Sequence, residues 1–496
     1  MMAQARSIAS APAATRVRVI APASLGATAI AALAVRGIDA RVAEPLLPPR
    51  GTRAANDARP DRAPDWIDAA LGGDAIAWAL DAAPGVALAV ELAAVCARAA
   101  AAGRPVCLLA PPPHGTGRPA IERSAALAYL RAHGAAVTHD VDAWLEAVVV
   151  LVRFGLPAGP RTAVVAPAGS WLEAQATAIA ADAELGGLRS PLATPDDPTD
   201  VVLYDPGLGP PPAATPALPV PVAARGELAG AAPVLHGVRA ALTAIAVLGR
   251  AAERIAVGLG PAPAAASAEL AVDADRLARQ LAKLASDQRR VGDHEAKVLL
   301  AAYGVPITRQ AVATTPSAAV KLARRAGYPV EVKPFGHDLP SEPAGCPVER
   351  NVTSDAMVRA AFATVLAAAG RPPGDASGVI IRETPSPGRE LTVALLELPS
   401  IGWTVVLEAP ASPGIPLAAA PAPLRLIDAQ VLAAQVAASR AGDPEPDRTG
   451  LANLLRRASH LVVDLGDRLA RLDLPRVVIG GRGARTLVVD AAAELR

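Results

Sequence analysis

Four lysines are the residues of this sequence whose placement most directly suggests chemistry. Lysine and arginine together number 48, yet every lysine falls within one stretch of about 50 residues: Lys283, Lys297, Lys321 and Lys333. Lysine presents a compact point charge that suits a single phosphate oxygen, whereas arginine presents a planar fork. Lys333 ends the β-type run YPVEVK, from which a strand can direct one ammonium group into a cleft. We therefore regard Lys333 as a candidate phosphate-binding residue, while drift in composition explains Lys283 and Lys321 equally well.

The elements around Lys333 follow a regular order. The sequence predicts a helix over residues 294–303 that stops at Gly304. It then predicts a second helix from about Pro316 to Gly327, and a strand from Pro329 to Lys333. Glycine just past the last helical turn is a common helix-ending signal. The predicted strand therefore follows closely on a helix and carries Lys333 at its end.

These residues also resemble a known family. The run EAKVLLAAYGVP at residues 295–306, followed by a helix and by GYPVEVK, resembles the start of the ATP-grasp domain of the NDP-forming acyl-CoA synthetases. Succinyl-CoA synthetase and ADP-forming acetate–CoA ligase are members of that family. The resemblance extends from about residue 16 to residue 496. It implies that Lys333 binds the phosphates of a nucleotide.

The part of the chain before the ATP-grasp region alternates strands with helices. Such alternation predicts parallel, doubly wound sheets of the α/β class. The resemblance implies two flavodoxin-like, succinyl-CoA synthetase-like domains with parallel sheets, followed by the ATP-grasp domain. The expected divisions are a disordered leader at 1–15, a first flavodoxin-like CoA-ligase domain at 16–158, a second at 159–258, a linker and lead-in helix at 259–285, and the ATP-grasp domain at 286–496.

Some local predictions within these domains rest on composition alone. We predict helices at residues 66–71 and 75–80, and a lead-in helix at 275–286. The run VALAVELA at residues 86–93 has the apolar character of a buried strand. The proline-rich stretch at 206–226 is typical of a loop or a semi-rigid spacer.

His114 is the candidate for covalent chemistry. It follows the predicted strand RPVCLLAP in a loop of small residues that leads into a helix. A phosphorylatable imidazole needs an exposed nitrogen and a nearby helix N-terminus to receive the anion. The resemblance implies that His114 carries phosphate between a thioester site and the nucleotide site, although a solvated loop residue is the alternative. A second family histidine beyond Lys333 is replaced by Ser341, and His337 is a displaced substitute.

Three acidic residues complete the site that the resemblance implies. Glu383 lies at the hinge and Glu390 follows it, in a segment that corresponds to the strands holding adenine and ribose. A carboxylate can accept hydrogen bonds from two neighbouring ribose hydroxyls, but a solvent-facing role for Glu390 stays equally open. Asp490 corresponds to the family's aspartate ligand of Mg²⁺, an ion that prefers hard oxygen ligands.

Other positions depart from the family pattern. Pro22 takes the place of a hydroxyl residue in the first phosphate-binding loop and removes an N–H donor. Trp171 puts a bulky ring into the corresponding loop of the second domain. The segment 407–411 lacks the glycines that wrap phosphates. Pro475 stands where the family has an asparagine ligand to Mg²⁺. The metal site is therefore expected to be weakened.

The composition excludes two kinds of partner. The formal net charge is +1, from 48 basic and 47 acidic residues, so nothing suggests a nucleic-acid surface. The chain is 52% hydrophobic but only 2% aromatic, and no uninterrupted apolar run reaches the ~18 residues of a membrane helix. Cys96, Cys107 and Cys346 stand apart, without metal or disulfide spacing. We expect a cytoplasmic protein that binds neither nucleic acid nor membrane.

Two hypotheses about function follow. The resemblance implies an acid–thiol ligase that interconverts acyl-CoA, phosphate and NDP with carboxylic acid, CoA and NTP through a phosphohistidine. The alternative is a catalytically degenerate relative that serves a partner chain as a nucleotide-binding or scaffold subunit. The sequence leaves open whether the chain itself is an enzyme. The implied cofactors are ATP or ADP, Mg²⁺, and CoA only if a partner supplies its binding domain, because the family's N-terminal CoA-binding domain has no counterpart here. We expect a separate CoA-binding subunit and an oligomer.

Overall fold

The computed structural model describes most of the chain. The described residues are 16–42, 75–179, 188–189, 199–208, 217–223, 234–284, 288–336, 338–339, 342, 345–371, 378–439, 446–481 and 483–496. They divide into two compact units. The first unit comprises residues 1–112 and 130–259, and the second comprises residues 113–129 and 260–496.

Two parallel sheets form the first unit. The first sheet contains strands β1 (Arg16–Ile20), β2 (Asp39–Val42), β3 (Ala75–Ala79), β4 (Cys107–Leu109) and β5 (Ala136–Thr138). The strands lie in the order β2-β1-β3-β4-β5, and all described pairings are parallel. Its helices are α1 (Ala23–Val35), α2 (Val86–Ala101) and α4 (Val141–Arg153). Helix α3 (Arg118–Ala132) lies between β4 and β5 in the chain, and most of it belongs to the second unit.

The second sheet repeats this arrangement. It contains β6 (Thr162–Val165), β7 (Leu188–Arg189), β8 (Val201–Tyr204), β9 (Leu218–Ala223) and β10 (Leu235–His236), with helices α5 (Trp171–Ile179) and α6 (Val238–Val257). The strand order is β10-β9-β8-β6-β7, and the pairings are again parallel. Trp144 and Val148 of α4 and Ile245 of α6 belong to one continuous buried core. The prediction of an α/β fold with parallel sheets is confirmed.

Two local predictions in the first unit are wrong. Residues 75–79 form strand β3 rather than a helix, and residues 86–101 form the single helix α2 rather than a strand and a helix. All five residues of β3 are buried between β1 and β4, so its alanines serve as small core residues instead of helix formers. In α2, Ala89, Leu92 and Cys96 are buried at helical spacing, which gives one apolar face. The helix predicted at residues 66–71 lies outside the described residues.

The proline-rich stretch is not only a loop. Its end, Leu218–Ala223, forms β9. Leu218 donates its N–H to the carbonyl of Asp200 at 2.9 Å. The direction of the N–H groups alternates along a strand, so the nitrogens of Pro219 and Pro221 lie on the opposite side of β9.

 On that side, the described part of β10 pairs only with Val222 and Ala223. Proline is tolerated at these two positions because its missing N–H faces no described strand partner.

The second unit contains two antiparallel sheets. The larger sheet contains β11 (Arg290–Val291), β16 (Arg389–Leu398), β17 (Gly402–Glu408), β18 (Pro416–Pro421), β19 (Leu469–Ile479) and β20 (Leu487–Leu495), in the order β11-β20-β19-β16-β17-β18. The smaller sheet contains β12 (Gln310–Ala313), β13 (Val330–Phe335), β14 (Glu349–Val352) and β15 (Gly378–Glu383), in the order β12-β15-β13-β14.

Helices cover one face of each of these sheets. Helices α7 (Ala274–Leu281), α8 (Asp293–Ala302), α11 (Leu426–Ala438) and α12 (Arg448–Asp464) share a buried core with the larger sheet. Helices α9 (Pro316–Ala326) and α10 (Asp355–Ala368) do the same for the smaller sheet. The predicted helices at 294–303 and 316–327 are confirmed. The strand that carries Lys333 is also present, but it continues to Phe335. The predicted lead-in helix corresponds to α7 and ends earlier, at Leu281.

The first turns of α3 belong to the second unit, although the helix ends in the first. Ala125 packs against Ala394 and Leu396 of β16. The intervening residue, Leu395, belongs to the core on the helix-covered face. Because successive strand residues point to opposite faces, α3 contacts the face of the larger sheet that α11 and α12 leave uncovered.

None of the helices in the described ranges is both long enough and apolar enough to cross a membrane.

Candidate functional site

Lys333 lies on the face of the smaller sheet that is turned away from helices α9 and α10. Val330 and Val332 of β13 point into the core beneath α9 and α10. The alternation of a strand therefore places Glu331 and Lys333 together on the opposite face. Arg382 of β15 lies directly across from Glu331 in the antiparallel register. Three charged side chains are thus brought together, although all three residues are at most 3% exposed.

The Lys333 ammonium is surrounded by carboxylates. Its Nζ atom lies 2.8 Å from Oδ1 of Asp490, 3.3 Å from Asp293 and 3.8 Å from Glu342. Burial by itself would lower the pKa of Lys333, but the charges of Asp293 and Asp490 outweigh it and raise the pKa above its usual range. Lys333 therefore carries a full positive charge at neutral pH.

Asp490 is engaged through both of its carboxylate oxygens. Oδ1 accepts a hydrogen bond from Lys333 at 2.8 Å, and Oδ2 accepts one from the backbone N–H of Glu342 at 3.0 Å. Burial raises the pKa of Asp490, Lys333 acts against that shift, and the carboxylates of Asp293 and Glu342 reinforce it. The structure thus brings together two of the predicted site residues, Lys333 and Asp490, as a buried ion pair.

A second lysine extends this network. Lys297 of α8 is fully buried, and its Nζ atom lies 3.0 Å from Asp293, 3.2 Å from Thr308 and 2.9 Å from Gln310. Burial lowers the pKa of Lys297 to about 8. Burial alone would raise the pKa of Asp293, but Lys297, Lys333 and Arg382 outweigh it and lower that pKa to about 2. Asp293 is therefore a shared counter-ion for the two lysines.

Arg382 is the centre of the other half of the network. Its Nε atom donates to Glu331 at 2.8 Å, and its Nη1 atom donates to the carbonyl of Val489 at 2.9 Å. Its Nη2 atom forms an ion pair with Glu342. Arg382 thereby links the smaller sheet to β20 of the larger sheet, within the second unit.

Arg476 and Arg350 enclose these acidic groups from the outside. Arg476 lies 3.3 Å from Glu331 and donates to Glu390 at 2.8 Å. Arg350, whose side chain is 52% exposed, donates to Glu342 at 2.9 Å. Each charged side chain of the cluster is therefore in contact with at least one side chain of opposite charge.

The remaining predicted residues lie apart from the Lys333–Asp490 pair. Glu383 accepts from the backbone N–H of Arg309 at 2.8 Å and from its Nε atom at 2.6 Å. Glu390 is bound to Arg476, with its side chain 45% exposed. His114 lies in an exposed loop, and its carbonyl accepts a hydrogen bond from Arg123 at 3.1 Å. His337 and Ser341 lie outside the described residues.

The loop that carries His114 contacts the turn between strands β17 and β18 of the larger sheet. The N–H of Gly117 donates to the carbonyl of Gly414 at 2.8 Å, in the turn between β17 and β18. The N–H of Gly414 in turn donates to Glu408 at 2.9 Å. Segment 407–411, where the family has glycines, thus begins as the end of β17 and continues into a turn.

A cavity of about 320 Å³ adjoins Lys333 and Asp490. Phe335, Ile380 and Asp473 are among the other residues that line it. Asp473 is the register partner of Ala394, the residue against which α3 packs. Partners in register share a face of the sheet, so the cavity and the first turns of α3 lie on the same face of the larger sheet.

The residues present offer no ready Mg²⁺ site. Within the described ranges, no group of three or more His, Cys, Asp or Glu side chains is arranged to hold a metal ion. Both oxygens of Asp490 already accept hydrogen bonds. Pro475, at the position of the family's asparagine, contributes only its carbonyl, which accepts from Thr392 at 3.0 Å. In this arrangement, Asp490 is a partner of Lys333 rather than an open metal ligand.

Sequence reasoning missed Asp293, Glu331, Arg382 and Glu342 as members of the site. A signal was present for two of them. In VEVK and IIRE, a charged residue interrupts an otherwise apolar strand, and such a residue is rarely buried without a partner. Two interrupted strands predict a buried pair. Asp293 and Glu342 had no comparable signal, because they lie at a helix start and between strands.

Comparisons with known proteins agree with this architecture. Residues 282–495 match the family model described as an ATP-grasp domain. The β subunit of ADP-forming acetate–CoA ligase II from Pyrococcus furiosus is 27% identical over 225 residues, which cover 43% of this chain and 94% of that protein. The β subunit of ligase I from the same organism is 31% identical over 137 residues, which cover 27% of this chain and 59% of that protein.

A solved structure is also similar. The dinucleotide-forming acetyl-coenzyme A synthetase 1 of Ca. Korarchaeum cryptofilum, in complex with coenzyme A and Ca-AMPCP, is 24% identical, with a TM-score of 0.38. The match covers 45% of this chain and 99% of that chain.

The fold and the matched region define the class of this protein. Its C-terminal unit contains an ATP-grasp domain, which indicates nucleotide binding. That domain is homologous to the β subunits of ADP-forming acetate–CoA ligases, so the chain is a relative of the NDP-forming acyl-CoA synthetase family.

Proposed function

We propose that this chain is an acid–thiol ligase of the NDP-forming acyl-CoA synthetase type. It would interconvert acyl-CoA, phosphate and NDP with carboxylic acid, CoA and NTP. The observation that carries the proposal is the homology of residues 282–495 to ligase β subunits, together with the buried Lys333–Asp490 pair in that domain. A lysine on a strand is a suitable partner for a phosphate oxygen.

Lys333 is assigned to the nucleotide phosphates, and Glu383 and Glu390 to the adenine and ribose end. Asp490 would hold Mg²⁺ only after giving up one of its two hydrogen bonds, and the ion would then supply a positive charge close to the phosphates. These roles require changes of partner, because Lys333 is bound to Asp490, Glu383 to Arg309 and Glu390 to Arg476. Ligand phosphates would replace protein carboxylates as the counter-ions of Lys333.

His114 is assigned the role of phosphate carrier. Residues 113–129 belong to the unit that contains the ATP-grasp domain, and α3 packs on the face of the larger sheet that also borders the cavity. The imidazole is exposed, and α3 begins four residues after it, at Arg118. A helix N-terminus attracts an anion, so a phosphoryl group on His114 would lie near favourable charge.

The two parallel sheets are assigned to flavodoxin-like CoA-ligase domains. Relabelled within each sheet, both have the strand order 2-1-3-4-5, which is the flavodoxin-like order. The proposed domain divisions are those expected from the sequence, with the domains at 16–158, 159–258 and 286–496. CoA would come from a separate subunit in an oligomeric cytoplasmic enzyme, since two of the relatives are themselves named as β subunits.

A second candidate function is a degenerate subunit that binds a partner chain without catalysis. Asp490 has both oxygens committed to protein groups, and Pro475 offers no side-chain ligand. Loss of a metal ligand removes electrostatic stabilisation on which phosphoryl transfer depends. The degenerate subunit either binds a nucleotide without catalysis or serves only as a scaffold. The two candidates therefore differ in whether the chain catalyses phosphoryl transfer and whether Mg²⁺ strengthens nucleotide binding.

Calorimetric titration with ATP and with ADP, each with and without Mg²⁺, tests the proposal. We expect saturable binding to the wild-type chain and none to Lys333→Ala. Lys321→Ala is the matched control, because Lys321 is an exposed lysine on α9. Equal binding by wild type and Lys333→Ala would remove Lys333 from the site. Absence of heat at millimolar nucleotide would reject the ligase proposal in favour of the scaffold.

A further inference from the structure

Glu342 occupies an unusual electrostatic position. Its side chain is only 4% exposed, yet its carboxylate contacts four cations. It forms an ion pair with Arg382, lies 2.9 Å from Arg350, and lies 3.8 Å from both Lys333 and Arg476. Such a set of converging cations is what a phosphate group would require, because several donors of positive charge surround a single anionic group.

The carboxylate is ionised in this environment. Burial would raise the pKa of Glu342, but the charges of Arg382 and Lys333 outweigh it and lower the pKa below its usual range. Without Glu342, Lys333 and Arg382 would each keep another carboxylate partner, but this largely buried cluster, with its outer arginines counted, would have fewer negative charges than positive ones. An uncompensated buried charge is strongly unfavourable. An anion at the position of Glu342, whether from the protein or from a ligand, therefore balances the charge of the cluster.

Glu342 also contacts Asp490, the predicted metal ligand. Its backbone N–H donates to Oδ2 of Asp490 at 3.0 Å. The other oxygen of Asp490 accepts from Lys333. One residue thus engages the predicted phosphate-binding lysine through its side chain and the predicted metal ligand through its backbone.

We propose that Glu342 is an internal competitor for the nucleotide phosphates, so that a nucleotide binds only by displacing its carboxylate from Lys333 and Arg382. The proposal rests on the function proposed above, and names a regulation of that site. When a protein group must first be displaced, only those molecules whose site is free can bind the ligand. The apparent dissociation constant is then the intrinsic one divided by the fraction of such molecules. Removing the competing charge should therefore strengthen binding.

The test compares Glu342→Gln and Glu342→Ala with the wild-type chain, by calorimetric titration with ADP and with inorganic tripolyphosphate. Both variants should bind ADP at least about tenfold more tightly, as expected if the carboxylate occupies the cations in more than about nine molecules in ten. Glu349→Gln is the matched control, because Glu349 is an exposed glutamate at the start of β14. It removes the same charge and should leave the affinity unchanged.

The outcomes separate this inference from the proposed function. Binding of ADP with equal affinity by wild type and both variants overturns the competitor while leaving the nucleotide site intact. Tighter tripolyphosphate binding by the variants, without ADP binding by any chain, supports the competitor and overturns the nucleotide proposal. No binding of either ligand by any chain overturns both. Thermal unfolding of Glu342→Gln and Glu342→Ala shows whether each variant is folded. If one is not, the ADP affinity of the other tests the proposal.

Discussion

Glu331 and Arg382 lie directly opposite each other on β13 and β15, and their side chains form a salt bridge from which water is excluded. Charges buried in this way are costly unless each has a partner. Breaking the pair is therefore costly, although Arg382 also contacts Glu342 and Glu331 also contacts Arg476. The pair lies beside Lys333, on the face of the smaller sheet that is turned away from its helices.

Removing one member of this pair should destabilise the second unit strongly. Glu331→Leu or Arg382→Met leaves the other charge buried, and we expect each to lower the free energy of unfolding by about 3–5 kcal/mol. The double variant should lose less than the sum of the two single losses, because no orphaned partner remains. Urea unfolding of the four proteins measures this coupling.

The exposed ion pair between Arg324 and Asp355 supplies the control for that cycle. The Arg324 side chain is 67% exposed. Solvent screens such a pair, so Arg324→Ala should change the free energy of unfolding by no more than about 1 kcal/mol. Strict additivity in the Glu331 and Arg382 cycle would contradict the interpretation of that pair as one unit.

Asp490→Asn tests the assignment of Mg²⁺. Asparagine keeps an oxygen for the N–H of Glu342 but loses the charge that a divalent cation needs. We expect ADP binding without Mg²⁺ to persist and the added affinity due to Mg²⁺ to disappear. Calorimetric titrations with and without the metal measure the difference. If Mg²⁺ strengthens binding to Asp490→Asn as much as to the wild type, another group holds the metal.

How much of this arrangement the sequence could predict differs from residue to residue. Lys333 is predictable because it lies in a β-type run that follows a clear helix, whereas Asp490 is predicted only from the resemblance to the family. The pairing between them could not be predicted, because it joins residues that are 157 positions apart. Sequence patterns report local periodicity, whereas this contact depends on how two sheets of the second unit meet.

The errors in the first unit have a similar cause. Alanine favours helices as an isolated residue, yet β3 consists largely of alanine and lies in the middle of a sheet. Close packing against β1 and β4 decides its conformation, and this information is not local. The alternation of strands and helices was readable because it depends on the order of elements rather than on the identity of each one.

The ion pair of Arg161 and Asp200 predicts a pH dependence in the first unit. Arg161 donates to both carboxylate oxygens of Asp200, at 2.8 and 2.7 Å, and its hydrogen bonds lower the pKa of Asp200. Stabilisation by Asp200 is therefore fully present above the unfolded-state pKa of about 3.9 and is lost as the pH falls through the lower folded-state value.

Asp200→Asn should accordingly destabilise the chain by about 1–3 kcal/mol at pH 7. The difference from wild type should stay constant from pH 7 to about pH 5 and shrink below about pH 4, where the wild-type carboxylate takes up a proton. Urea unfolding at a series of pH values measures it. A difference that grows on acidification would have the wrong sign for this ion pair.

His114 makes a prediction about covalent chemistry. If it carries phosphate, the wild-type chain incubated with Mg²⁺ and ATP labelled at the γ-phosphate should acquire an acid-labile, base-stable label. His114→Asn should acquire none, because the amide cannot form the phosphoramidate. His133→Asn, at the other end of the following helix, is the matched control and should label normally. Labelling of His114→Asn would assign the phosphate to another residue.

The contact between Gly117 and Gly414 provides a way to test the position of the His114 loop separately from its chemistry. Gly414 has a φ of 77°, and a Cβ atom added there would lie 3.0 Å from the backbone nitrogen of Gly117. Gly402 has a φ of 84°, but a Cβ atom there would meet nothing within 4 Å. Both alanine variants carry the backbone strain of a positive φ, about 1–2 kcal/mol, and only Gly414→Ala disturbs the loop.

We therefore expect Gly414→Ala to reduce the rate of His114 labelling several-fold relative to Gly402→Ala, while ADP affinity stays the same in both. The physical reason is that the hydrogen bond to the turn between β17 and β18 fixes the loop, and we expect a displaced loop to present the imidazole less often to the cavity beside Lys333. Labelling rates and calorimetric affinities of the two variants, measured side by side, separate this effect from strain. Equal labelling rates would show that the hydrogen bond from Gly117 to Gly414 does not position His114.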